Sequence, residues 1–173
     1  MSMFLPLNII EADITDSNKS NLWRATKFSS RYPLNGLRSN LYKNTITLFM
    51  SEVLFKVLKD GANEDGLFDS LAKQILTLDA VESDFSNFHI WFLLELCRSL
   101  GFEADFEGLS SFAGEYMMIL ETFIQSSFSE AMLIPLNGQK RNDIAQIILR
   151  YIEYHSESTI NINSLKVLHG IFA

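Results

Sequence analysis

A chain of 173 residues that is 47% hydrophobic, with 14 Phe but only 8 Gly and 3 Pro, has the material for one packed core, which excludes intrinsic disorder. Its single cysteine, Cys97, excludes an internal disulfide or a multi-cysteine zinc site, and a reducing cytosol is the expected setting. The net charge of −7 is unevenly placed. Residues 52–130 carry fifteen acids against four bases, whereas 17–51 hold no Asp or Glu and carry Lys19, Arg24, Lys27, Arg31, Arg38 and Lys43. Local fields rather than net charge steer anions to a surface, so overall acidity does not exclude nucleic acid. It says where on the chain the contact would occur.

The opening residues, Met1 to Ile10, are apolar but lack a basic leader and a small-residue cleavage site, and Glu11 and Asp13 follow at once. No signal peptide is expected. No uncharged apolar run reaches the length of a membrane span, so the expectation is a soluble, cytoplasmic protein without membrane contact. Leu7 to Ile14 is β-branched and apolar, Asp16-Ser17-Asn18 supplies turn chemistry, and Leu22 to Phe28 alternates again. This predicts a β-hairpin. A lone hairpin is marginal in water and leaves two edges unpaired, so it must lean on the helices, pair with something else, or belong to a larger sheet. Ser29 to Gly36 reads as a linker.

From about residue 39 the pattern turns helical. Ile46, Phe49, Met50, Val53, Leu54, Val57 and Leu58 follow helical spacing, and Gly61 is the predicted stop, with Lys56 and Lys59 near the C-terminal dipole. Asn63 is placed to cap a second helix whose stripe is Leu67, Phe68, Leu71, Ile75 and Leu78. A third, opened by Ser86 and closed by Gly101, is apolar nearly all round and too short for a membrane, which assigns it to the middle of a bundle. Further helices are predicted over about 110–128, 139–155 and 163–172. The expected fold is mainly α: an irregular six-helix bundle preceded by an N-terminal β-hairpin.

Little in this pattern carries chemistry. His89 lies in the most apolar helix, His155 at a helix end and His169 in the last helix, with no metal-ligand spacing among them. Cys97 reads as an inert core thiol. Glu103, Asp105 and Glu107 fall short of a calcium loop, and no phosphate-binding or nucleophile motif occurs. No enzyme, metal or cofactor is expected. The acid-free stretch remains, its bases interleaved with Trp23, Phe28, Tyr32 and Tyr42, a mixture that tracks a phosphate backbone and stacks bases. The alternative is a solvated basic hairpin whose charges pair with acidic helices of the same molecule.

The helical part also resembles a known family. Phe49-Met50-Ser51-Glu52-Val53-Leu54-Phe55-Lys56-Val57-Leu58 followed by Leu67-Phe68 is similar to the C-terminal helical domain of the recombination mediator RecO. The resemblance continues through Asn87-Phe88-His89-Ile90-Trp91-Phe92-Leu93-Leu94-Glu95-Leu96 to Leu100-Gly101-Phe102, then Arg141-Asn142-Asp143-Ile144 and Arg150-Tyr151-Ile152-Glu153-Tyr154-His155, and ends on Ser164-Leu165-Lys166-Val167-Leu168. Phe4-Leu5-Pro6-Leu7 and the hairpin resemble the last strands of that family's oligonucleotide-binding (OB) barrel. The resemblance implies two parts: residues 1–30 as an incomplete OB-fold remnant, and 31–173 as a RecO-like helical domain without the family's zinc finger. It implies non-catalytic DNA repair work: binding single- and double-stranded DNA, annealing strands, and helping to load RecA with single-strand-binding protein and RecR. Arg24, Lys27, Arg31, Arg38 and Lys43 are the expected DNA contacts. The alternative function is a helical protein–protein interaction module that has lost DNA binding.

Overall fold

The computed structural model describes residues 3–16, 22–58, 66–102, 104–156 and 159–172. Two strands, β1 (Ile10–Thr15) and β2 (Arg24–Ser30), pair antiparallel from Ile10 opposite Ser30 to Thr15 opposite Arg24. The predicted strands began earlier, at Leu7 and Leu22. Leu7 instead takes a left-handed φ of 58°, and the Asn8 N–H donates to the Leu5 carbonyl at 3.1 Å, so a tight turn precedes β1. The predicted linker contains the short helix α1 (Asn35–Ser39), and α2 (Leu41–Val57) follows it. Asn40 starts α2 by accepting from the Tyr42 and Lys43 N–H groups, the usual role of an Asn at that position. The expected Gly61 stop, Lys59 and the Asn63 cap lie outside the described residues.

Helix α3 (Leu67–Ala80) leads to α4 (Phe88–Ser99), the apolar helix of the sequence pattern. Phe88, His89, Ile90, Phe92, Leu93, Leu94, Leu96 and Cys97 are all buried, which confirms its place at the centre of the bundle. Its end is a glycine stop: Gly101 has a φ of 81°, and the Phe102 N–H reaches back to the Cys97 carbonyl. Asn87 does not cap α4 with its side chain; its Nδ2 donates to the carbonyls of Ala131 and Ile134.

The single helix expected over 110–128 is broken. It forms α5 (Phe106–Ala113), a 3₁₀ turn (Gly114–Tyr116), α6 (Met117–Gln125) and α7 (Phe128–Leu133). Gly114 makes the first break with a φ of 52°, and Ser127 makes the second through a capping box with Glu130. The long helix α8 (Gly138–Ser156) and the terminal α9 (Ser164–Phe172) match the prediction closely. Helix α4 packs on α2, α3, α7 and α8, while α9 lies across α2 and α8. The fold is mainly α with an N-terminal hairpin, as the sequence pattern indicated.

Two polar ties set the angles between these helices. Asp79, near the end of α3, accepts the Leu37 N–H on its side chain and the Lys43 ammonium on its carbonyl, 2.9 and 2.8 Å away. Gly36 sits so close that a Cβ there would lie 2.1 Å from the Asp79 oxygen. The second tie is Glu52 on α2, which accepts N–H bonds from Asn163 and Ser164 and the Ser164 hydroxyl, and so caps α9 from a neighbouring helix. Burial pushes the Glu52 carboxyl up, but the bonds from Ser164 and Asn163, helped by Lys56, outweigh it and hold the group below the usual carboxylate range.

A depressed folded-state pKa means that this stabilisation is present above the unfolded value and is lost as pH falls through the folded one. Glu52→Ala is expected to cost about 2 kcal/mol in urea unfolding near neutral pH, the size of a lost helix cap. The difference from wild type should shrink toward zero below about pH 4. An undiminished difference in acid would show that packing, not the carboxylate, is responsible.

Candidate nucleic-acid interface

Cross-strand partners share a face, so the register sorts the hairpin's side chains. Glu11, Asp13, Thr15, Arg24, Thr26 and Ser29 fall on one side; Ile10, Ile14, Ala25 and Ser30 fall on the other. Neither side is covered by the bundle: Ile14 is 54% exposed, and Trp23, just before β2, is 71% exposed. Among the described residues the hairpin is anchored at its base and by the Phe28 ring against Phe4. At the base Ile9 is buried, the Arg31 N–H donates to the Ile9 carbonyl, and Arg38 Nη2 donates to Asn8 Oδ1 at 2.9 Å.

The five candidate contacts meet different fates. Arg24 stands exposed at the start of β2. Lys27 occupies an irregularity: between paired positions, β1 contributes Ala12 while β2 contributes both Lys27 and Phe28. This is a bulge, and Lys27 holds it with a φ of 54°, a left-handed conformation costly to any residue with a Cβ. Its ammonium lies 2.8 Å from Asp13. Arg31 pairs with Glu11 at 2.7 Å and donates Nε to the Tyr32 hydroxyl. The acidic partners thus come from β1, not from the acidic helices. All four side chains are well exposed, so these pairs are weak and open to exchange with another anion.

Arg38 is half-buried on α1 beside Asn8. Lys43 is the departure. It points into the molecule, 5% exposed, with its ammonium on the Asp79 carbonyl and 5.6 Å from the centre of the Phe85 ring. Desolvation lowers its pKa despite the nearby Asp79 and Glu82 carboxylates. Its charge supports α3 rather than facing solvent. Lys19 lies outside the described residues.

The other candidates for chemistry are structural. His89 is 2% exposed and burial holds its pKa down at about 3, with Arg141 nearby acting in the same sense. Burial pushes the Cys97 thiol up to about 12. The His155 ring stacks on Phe102, and His169 Nδ1 contacts the Gly138 carbonyl. Asp105 caps α5 by accepting the Gly108 N–H. No group of three or more metal-ligating side chains occurs among the described residues, and no helix there is long and apolar enough to cross a membrane. Sequence reasoning missed Asn8 and Asp79. Asn8 clamps the hairpin base between the Met3 carbonyl and Arg38, a role visible only once the chain has folded back.

The family model described as "Recombination protein O C terminal" matches residues 38–108. The chain is similar to the DNA repair protein RecO of Azobacteroides pseudotrichonymphae, at 27% identity over 99% of this chain and 80% of that protein. It is similar to the protein of that name from Flavobacterium psychrophilum, at 25% identity over 100% of this chain and 80% of the relative. The protein of that name from Phocaeicola vulgatus is 37% identical over 57% of this chain and 41% of its own length. No solved structure matches the chain significantly.

The contrast between a buried and an exposed lysine or arginine is measurable. Lys43→Ala should lower the unfolding free energy by about 2 kcal/mol, since it deletes a charged hydrogen bond and a packed stem. Arg24→Ala should stay within about 0.5 kcal/mol of wild type. Equal effects would contradict the placement of Lys43.

Proposed function

We propose that the chain is a member of the RecO family of DNA repair proteins and that it acts without catalysis, binding DNA across the junction of hairpin and helices. The observation that carries this reading is the acid-free stretch. It runs from Ser17 through β2 and α1 into α2, with Arg24, Lys27, Arg31 and Arg38 along it on exposed or half-buried positions. In this reading residues 1–30 are the last strands of an OB-type barrel, and 31–173 form the helical domain. The uncovered apolar side of the hairpin supports it, because Ile10 and Ile14 are partners for a further layer rather than a natural surface. Strand annealing, RecA loading and work with single-strand-binding protein and RecR are the roles we assign on the family's pattern.

The chemistry needed is modest. Cations that neutralise phosphates release condensed counterions, and exposed rings such as Trp23 stack on bases. The carboxylates of Glu11 and Asp13 compete for the same cations and set how much binding free energy is left.

One observation favours a second reading, an interaction module that has lost DNA binding: Lys27 and Arg31 are already engaged with Asp13 and Glu11. Retention of single-strand-binding protein or RecR on the immobilised chain, with no DNA retardation, would select it.

With four side chains on phosphates, log K against log salt for single-stranded DNA should slope near −3, about 0.7 per contact. Asp13→Asn with Glu11→Gln should tighten binding several-fold by freeing the two cations, while Arg24→Glu with Arg38→Glu should abolish it. A flat salt dependence together with no gain from removing the carboxylates would rule out the basic strand as the contact.

A further inference from the structure

A cavity of about 190 Å³ opens where the 3–9 segment folds over α1 and α2. Leu5, Leu34, Leu37 and Leu48 make its aliphatic wall, and Asn8, Arg38 and Asn44 bring polar groups to it. It is smaller than the roughly 300–1,000 Å³ of a drug-sized site, yet a cavity of about 150 Å³ already accepts benzene. One flat heterocycle is the ligand this volume suits.

Charge points the same way. The two larger cavities along α8 carry carboxylates in their walls, Glu153 beside Arg150 and Lys166 in one and Glu115 with Asp143 beside Arg150 in the other. Only the second is net acidic and would repel a phosphodiester. The junction cavity has no carboxylate among its lining residues, and its charged side chain is the cation Arg38. Asn44 is exposed on α2, and a primary amide offers both a donor and an acceptor to the edge of a base.

The backbone around the cavity is also strained. Leu34 in its wall has a φ of 45°, and Leu7, between the cavity residues Pro6 and Asn8, has one of 58°. Left-handed leucines are costly and persist only where the surroundings enforce them, as binding sites do.

We propose that this cavity seats one nucleobase of single-stranded DNA, with Arg38 holding the adjacent phosphate and Asn44 meeting the base edge. The proposal rests on the DNA-binding reading above and adds to it a contact with the base rather than the backbone. The aliphatic wall then plays the part that apolar side chains play in sites for extruded bases, and the cationic rim fixes the strand's path.

Fluorescence anisotropy with the full chain tests it, comparing a labelled oligothymidine with an abasic oligonucleotide of the same length and charge. Wild type should bind the oligothymidine about fivefold more tightly, the worth of one well-seated base. Leu48→Glu, a change at an exposed position that places a carboxylate at the rim, should bring that ratio to about one, and Asn44→Ala should lower it about twofold. Equal affinity of wild type for both oligonucleotides, or a ratio unmoved by Leu48→Glu, overturns the base site while leaving phosphate binding intact. Binding to neither oligonucleotide overturns both the base site and the DNA-binding reading.

Discussion

A helix without a polar face has one stable position, the interior, and the burial of α4 governs the rest of this structure. Its eight buried side chains demand partners on every side, and α2, α3, α7 and α8 supply them. Phe92 meets Phe49 of α2 edge-on, and Phe88 meets Phe128 of α7 in the same way. Once those helices enclose α4, their remaining polar groups must be satisfied locally. Asn87 reaches the end of α7, Lys43 the end of α3, and Glu52 the start of α9. The same enclosure silences the titratable groups of the centre. Burial holds His89 neutral and Cys97 protonated, so neither is chemically available near pH 7.

The hairpin obeys the opposite rule. Among the described residues, almost all of its surface faces solvent, and Ile9 is its buried anchor. Its cations and carboxylates are drawn from the two separate strands, so it holds a weak internal charge balance that an incoming polyanion disturbs cheaply. Among the described residues, three of the four non-glycine positions with left-handed backbone lie in or beside the hairpin: Leu7 just before β1, Lys27 within β2, and Leu34 just before α1. Rigid bundle and strained junction are therefore adjacent. The site proposed for DNA lies where they meet.

Helical spacing made most of the bundle legible in the sequence, because an apolar stripe is enforced by burial and survives any choice of neighbours. The centrality of α4 was readable for the same reason, and Gly101 marked its end. The breaks around α6 were also written in the chain, as Gly114 and as Ser127 with Glu130, but a long apolar run concealed them. Lys43 is instructive. It precedes Ile46 and Met50 by three and seven residues and so sits on the buried stripe of α2, a position that composition alone does not distinguish from a solvated one. Strand register, the Lys27 bulge and the pairing of Arg31 with Glu11 depend on which residues face each other across the hairpin. No local pattern encodes that. The junction cavity was illegible for a related reason: its walls come from three segments brought together only by the fold.

Hydrogen–deuterium exchange with and without saturating oligothymidine tests the central claim, that DNA lies across the junction of hairpin and bundle, most directly. New protection should appear in β2, in α1 and in the first two turns of α2, with α5 and α6 unchanged. Protection confined to the α8 and α9 surface, or none anywhere at saturating DNA, would contradict it.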